Sequence, residues 1–232
     1  MKKRVVYVNG SFVDEDKAKV SVFDRGFLFA DAVYEVTAVI DGKILEWDGH
    51  VKRLERSLKE LDMKFPISET ELLDIHFDLI KKNTLKEGLI YLQVTRGEDD
   101  RSFDYPDESV KPTLVLFTQV KSLAESNIAK TGLKVISVPD MRWGRRDIKT
   151  VQLLAPSMCK MMAKKKNKDD AWMIQDGFIT EGTSNNAYII TKDNVLITRN
   201  LSNDILAGVT RRSILRYCLL YTSDAADEER GG

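Results

Sequence analysis

The chain is poor in the residues that build metal centres and disulfide frameworks. It holds two cysteines, Cys159 and Cys218, and two histidines, His50 and His76, in 232 residues. The cysteines lie far apart, so they read as reduced thiols of a cytoplasmic protein and not as a cross-link. Neither histidine has a companion at metal-ligand spacing, which argues against metal chemistry. Net charge is missing as well, since 36 basic residues balance 36 acidic ones. That balance gives no general electrostatic reason to expect nucleic acid or an anionic membrane as a partner. No apolar run approaches the roughly 20 residues that span a bilayer. The basic start, Met1-Lys2-Lys3-Arg4, leads into a strand-like stretch and not into the apolar segment of a secretion signal.

What is present is a globular composition of sufficient length for one large domain or two modest ones. Val5–Val8 and Phe12-Val13 flank Asn9-Gly10, and Val33–Ile40 and Ile44–Trp47 flank Asp41-Gly42, both strong hairpin signals. Val51, Leu54, Leu58 and Leu61 recur at helix spacing, as do Leu72, Leu73, Ile75, Leu79 and Ile80. Strands return at Leu89–Thr95 and Thr113–Val120. The polar stretch from Lys121 to Thr131 carries no period and reads as a linker. Leu133–Val138 then opens a second unit, with a helix expected from about Thr150 to Lys166. Strands are expected at Ala171–Gln175, Phe178–Thr180, Ala187–Thr191 and Val195–Thr198, and a last helix from near Thr210. Strands joined by short turns predict antiparallel sheets. The domains expected are 1–120, a linker over 121–131, and 132–217.

No single residue announces a chemistry. Lys149 follows Arg145-Arg146-Asp147 and enters the apolar stretch Val151–Ala155, and cations beside a lysine disfavour its ammonium form. A solvated surface lysine is the plainer reading of the same residues. Glu181 opens Glu181-Gly182-Thr183-Ser184-Asn185-Asn186, either a turn-forming loop or a carboxylate ringed by small hydrogen-bonding groups. Thr210, after Ala207-Gly208-Val209, caps a helix or lends its amides to a phosphate.

Spaced motifs tip these alternatives. Phe23-Asp24-Arg25-Gly26-Phe27-Leu28-Phe29-Ala30-Asp31-Ala32-Val33-Tyr34-Glu35-Val36, then His50-Val-Lys-Arg53-Leu54, then Tyr91-Leu-Gln-Val-Thr-Arg96-Gly97 come first. Asp147-Ile148-Lys149, Thr180-Glu181-Gly182 and Leu206-Ala-Gly-Val-Thr-Arg211 follow. Over about residues 5–217 this series resembles the class IV, or fold type IV, aminotransferases, and their D-amino acid branch more than the branched-chain branch.

The resemblance implies an α/β (α+β-like) fold of two domains with largely antiparallel sheets and a cofactor cleft between them. It implies pyridoxal 5'-phosphate as cofactor, held by Lys149 as a Schiff base, with the same lysine carrying the proton at Cα. Glu181 matches the carboxylate at the pyridine nitrogen, whose protonation makes the ring an electron sink. Arg53, with the backbone of Val209 and Thr210, matches the phosphate site; Leu206 matches the residue packed on the ring, and Ser184 joins the cofactor set. Tyr34, Arg101, Phe103 and Tyr91 match the substrate pocket, with Arg101 taking the substrate carboxylate across the interface of a homodimer. Phe103 stands where D-amino acid enzymes carry a histidine, which puts the strength of that contact in question. The run from Cys218 onward looks like translated adapter sequence, so 218–232 is expected to be a non-native tail and the family's closing segment, with a further phosphate contact, to be absent.

The activity implied is transamination between D-amino acids such as D-alanine or D-glutamate and 2-oxo acids. Branched-chain L-amino acid transamination, (R)-amine transamination and aminodeoxychorismate cleavage are alternatives on the same fold. A truncated, inactive dimeric scaffold is the non-enzyme alternative.

Overall fold

A computed structural model describes residues 3–125 and 127–228. They form two compact units, Met1–Leu133 with Ile148–Leu154, and Lys134–Asp147 with Ala155–Gly232. The short segment carrying Lys149 therefore returns to the first unit from within the second.

The first unit contains β1 (Val5–Val8), β2 (Ser11–Asp14), α1 (Arg25–Phe29), β3 (Ala32–Ile40), β4 (Lys43–Ile44), α2 (Trp47–Glu60), α3 (Glu69–Asn83), β5 (Gly88–Thr95), β6 (Thr113–Val120) and α4 (Asn127–Thr131). The six strands form one antiparallel sheet in the order β2-β1-β6-β5-β3-β4. Its two hairpins turn through Asn9-Gly10 and Asp41-Gly42, with positive φ at both central residues of each. That backbone matches the twist of paired strands, and Asn, Asp and Gly tolerate it. The second hairpin is shorter than expected. Its return strand ends at Ile44, Glu46 takes a left-handed conformation, and Trp47 begins a helix instead of closing a strand. Trp47 is held there by tertiary contacts, its indole edge-on to His76 and donating to Glu69.

Alternation along β3 sorts the sheet faces. Val33, Glu35, Thr37 and Val39 are buried, whereas Tyr34, Val36, Ala38 and Ile40 are half-buried. Helix α2 packs on β3, and α3 packs on β1 and β6. These helices bury Val51, Leu54 and Leu58 from α2 and Leu72, Ile75 and Leu79 from α3. Ser68 caps α3 by accepting from the Glu71 amide, and acidic residues at its start and lysines at its end complement the helix dipole.

The second unit contains β7 (Val135–Pro139), α5 (Leu154–Lys165), β8 (Asp170–Gln175), β9 (Phe178–Gly182), β10 (Tyr188–Ile190), β11 (Leu196–Thr198) and α6 (Val209–Glu228). Strands β8 and β9, and β10 and β11, are antiparallel pairs, as their short turns predict. Strand β7, however, lies parallel to β8. A parallel neighbour needs a long crossover, here through α5, and nothing in the local turn chemistry announces it. Val138, Cys159, Ala163, Ala171 and Met173 form the core under this sheet. Burial pushes the Cys159 thiol pKa up, as suits a packed and unreactive cysteine.

Candidate active site

The helix expected from Thr150 begins at Leu154. The preceding residues pass beside β3, with an isolated bridge between Val33 and Thr150. The Tyr34 amide donates to the Lys149 carbonyl at 3.0 Å, and the Val151 amide to the Ala32 carbonyl at 3.1 Å. The Lys149 amide donates to Ser57 Oγ at 3.3 Å, adding a tie to α2. Lys149 is thus fixed by backbone pairing to β3 through its carbonyl and by Ser57 through its amide, and its Nζ lies 4.1 Å from the centroid of the Tyr34 ring. A ring face at that distance attracts a cation while contributing no anion.

Directly beside Tyr34 in sequence, Glu35 points to the buried face. Its carboxylate accepts from Arg53 Nε at 2.8 Å and Nη2 at 2.7 Å, and it meets His50 Nδ1 at 2.7 Å. Burial alone would raise the Glu35 carboxyl, but these partners, with the Lys149 charge, hold it below its ordinary value. Arg53 therefore stands in a bidentate ion pair.

Tyr34 also stacks on Tyr91 at 5.6 Å, and Tyr91 on Phe117 at 4.8 Å. The Tyr91 hydroxyl donates to Gln93, and burial, aided by Tyr34, pushes its pKa up to about 12. Both phenols consequently belong to one aromatic row on the half-exposed sheet face. Arg101 and Phe103 occupy the exposed loop after β5, where the Arg101 guanidinium lies 5.5 Å from the Phe29 ring and 5.6 Å from the Phe103 ring.

In the second unit Glu181 is buried at the end of β9. One oxygen accepts from Asn186 Nδ2 at 2.8 Å and from the Leu206 amide at 3.0 Å; the other accepts from Arg142. Asn186 also donates to the Leu206 carbonyl at 3.0 Å, so Leu206 is tied to the carboxylate through both backbone groups. Burial raises the Glu181 carboxyl, with Arg142 and the Leu206 amide opposing it. Arg142 reaches back to Asp140 at 2.7 Å, and Thr180 donates to the same carboxylate at 2.6 Å. Burial would raise Asp140, but the bonds from Arg142 and Thr180 prevail and hold it down to about 2.

Beyond Leu206 the backbone passes so close to Asn186 that a Cβ at Gly208 would lie 2.1 Å from Asn186 Oδ1. Helix α6 starts immediately afterwards at Val209, with Thr210 in its first turn. Ser184 lies in the loop between β9 and β10.

The cations adjoining Lys149 in sequence have partners of their own. Arg145 binds Asp147 at 3.0 Å through Nε and Nη2, and Arg146 reaches Gln175 and Asp204. The expectation that they act on the lysine amine gains no support from this pairing.

A family model described as Amino-transferase class IV matches residues 32–222. The chain belongs to the class IV aminotransferases. It is similar to the D-alanine aminotransferase of Staphylococcus epidermidis, 38% identical over 209 residues, covering 90% of this chain and 73% of that protein. It is also similar to the D-alanine aminotransferase of Bacillus licheniformis, 36% identical over 213 residues, covering 92% of this chain and 74% of that protein. Among solved structures, the branched-chain amino acid aminotransferase of Escherichia coli superposes with a TM-score of 0.83 at 21% identity, covering 93% of this chain and 74% of that one. The branched-chain aminotransferase of Thermoproteus uzoniensis superposes at 0.81 and 22% identity, with the same coverage. At those identities the superpositions speak for the fold alone.

Within this aminotransferase, Glu35, Asp140 and Arg142 are the site neighbours to which sequence reasoning gave no role. Glu35 had a legible signal, a charge on the buried phase of an alternating strand. Arg142 and Asp140 stand in an arginine-dense stretch, but only the fold shows which carboxylates they meet.

Among the described residues no group of three or more His, Cys, Asp or Glu could hold a metal ion, and no helix is long and apolar enough to cross a membrane.

Proposed function

We propose that this aminotransferase moves amino groups between D-amino acids, such as D-alanine or D-glutamate, and 2-oxo acids, with pyridoxal phosphate bound to Lys149. The observation that carries the reading is the placement of Lys149, an amine locked by backbone pairing to β3 with its nitrogen over Tyr34. The identity of more than a third to D-alanine aminotransferases supports the substrate class.

The donor chemistry of both units fits the cofactor. Glu181 accepts three hydrogen bonds, from Arg142, Asn186 and Leu206, and a carboxylate has room for about four. One acceptor position is thus suited to a ring N–H. The close approach of Gly208 to Asn186 leaves backbone, not side chain, at the entry to α6, where helix amides suit a phosphate. In this reading Leu206 and Ser184, with Arg53 of the first unit, complete the set of residues that would hold the cofactor.

When bound, pyridoxal phosphate supplies an electron sink for the negative charge left at Cα. Lys149 provides the amine that anchors it and then carries the proton to and from Cα. The Tyr34 ring favours the charged amine when the proton is on it. Glu181, buried and fixed by Arg142, would supply the negative charge that favours a protonated ring nitrogen. Tyr34, Tyr91 and Phe103 shape the side-chain pocket, and Arg101 binds the substrate carboxylate. Residence in the cytoplasm and assembly as a homodimer belong to this reading, the half-exposed aromatic sheet face being suited to cover by a second subunit.

The test is incubation of purified protein with pyridoxal phosphate, 2-oxoglutarate and separate D- and L-amino acids, followed by chiral analysis of the glutamate formed. D-glutamate from D-alanine supports the proposal. Turnover of L-leucine or L-valine alone would replace it with branched-chain transamination.

A further inference from the structure

The loop that carries Arg101 and Phe103 is fastened to α1 at its start and again around Phe103, and one buried side chain makes the second fastening. At the loop's start, Asp24 bridges to Glu98, and the Arg25 amide donates to the Gly97 carbonyl at 2.9 Å. Further along, at mid-loop, Arg25 Nη1 donates to the carbonyls of Ser102 at 2.8 Å and Asp104 at 3.1 Å, straddling Phe103. Arg25 Nε is meanwhile held by Asp31 at 2.9 Å. Asp31 binds Arg96 as well, at 2.7 Å, and the Arg96 guanidinium covers the Tyr105 ring at 3.7 Å. Arg25 is only 3% exposed.

The same guanidinium reaches Arg101 through a shared ring. Arg25 lies 4.6 Å from the Phe29 centroid, Arg101 lies 5.5 Å from it, and Phe29 meets Phe103 edge-on at 5.7 Å. A guanidinium resting its face on a ring keeps its edge donors directed outward, the geometry that receives a planar carboxylate in two parallel bonds.

We propose that Arg25 is a positioning residue for substrate recognition, holding the Ser102 and Asp104 carbonyls so that Arg101 is presented at a fixed place and angle. This rests on the reading of Arg101 as the group that takes the substrate carboxylate. Arg25 itself touches no substrate in this scheme. A lysine at position 25 keeps the charge opposite Asp31 but cannot span an ion pair and two carbonyls at once, because it lacks the planar fork.

The experiment compares wild type, Arg25→Lys, Arg101→Ala and the double variant, each loaded with pyridoxal phosphate, by KM and kcat for D-alanine. Tryptic cleavage after Arg101 is followed in parallel on wild type and Arg25→Lys, which keep that arginine, and thermal unfolding on all four chains. Arg25→Lys is expected to raise KM about tenfold, the equivalent of one lost charge-assisted hydrogen bond, with kcat nearly unchanged and faster cleavage after Arg101. Added to Arg101→Ala, it is expected to raise KM no further, since both act through one group.

Unchanged KM and unchanged cleavage overturn the proposal, as does a KM effect that adds fully to that of Arg101→Ala. If Arg101→Ala leaves KM unaltered, the carboxylate reading of Arg101 falls, and the cleavage rate alone then decides whether Arg25 holds the loop. Should the lysine variant not fold, Phe29→Leu removes the shared ring without touching a buried ion pair. It is expected to raise KM in the same direction, and an unaltered KM there overturns the proposal.

Discussion

The Lys149 amine lies 4.1 Å from the centre of the Tyr34 ring, and the Tyr34 amide donates to the Lys149 carbonyl at 3.0 Å. One pair of residues thus meets through backbone and side chain together. The register between the returning segment and β3 therefore sets the position of the amine, and a slip of one residue would turn it to the opposite face. That arrangement separates what Lys149 does for the fold from what it does for chemistry.

Lys149→Ala should leave the backbone pairing intact and abolish turnover. The alanine chain should fold with a melting temperature near that of wild type, yet show neither the visible band of lysine-bound pyridoxal phosphate nor a borohydride-reducible link. Peptide mapping after reduction checks this. A reducible link at another lysine would relocate the site.

Glu181→Gln should retain most stability, because Arg142 keeps its pairing with Asp140. The neutral amide removes the charge opposite the ring nitrogen, and the first half-reaction with D-alanine should slow by about a hundredfold or more. Stopped-flow absorbance measures it. An unaltered rate would assign control of the ring nitrogen to another group.

Glu35→Gln should cost far more stability than Glu181→Gln. It strips the charge from the buried partner of Arg53 and His50, and an uncompensated buried cation costs about 3–5 kcal/mol. Urea unfolding of the two variants side by side gives the comparison, and equal losses would contradict it.

Acid should weaken the first unit through His76. Burial lowers its pKa from the ordinary 6.5 to about 4, against the Leu72 carbonyl, which favours the protonated ring. Between those values the unfolded chain binds a proton that the folded chain refuses. Stability is therefore full above about pH 6.5 and falls as pH drops toward 4, by up to about 3 kcal/mol. Urea midpoints of wild type and His76→Gln at pH 7 and pH 5 test this; the glutamine chain should lose much of the slope, and parallel slopes would exclude His76 as its source.

Local chemistry made much of the first unit legible. Asn9-Gly10 and Asp41-Gly42 mark their hairpins because few other residues accept the left-handed backbone those turns require. The apolar spacing in α2 and α3 identifies the faces they bury. Errors arose where a long-range partner overruled a local preference. Residues 150–153 read as the first turn of a helix but form none, because β3 takes Thr150 into a bridge and the Val151 amide into a bond to the Ala32 carbonyl. Trp47 reads as a strand residue but begins α2, because His76 and Glu69, distant in sequence, receive it.

The sequence by itself determined the family, the turn positions, the helix faces and the candidacy of Lys149, Glu181 and Arg53, since each is written in residue type and spacing. Tertiary structure alone decided that β7 lies parallel to β8, that Glu35 receives Arg53 and His50, that Arg142 holds Glu181, and that Arg25 fastens the Arg101 loop. Those facts depend on which distant groups share one buried volume. A buried charge takes whichever partner the packing brings within reach, and no local pattern encodes that meeting.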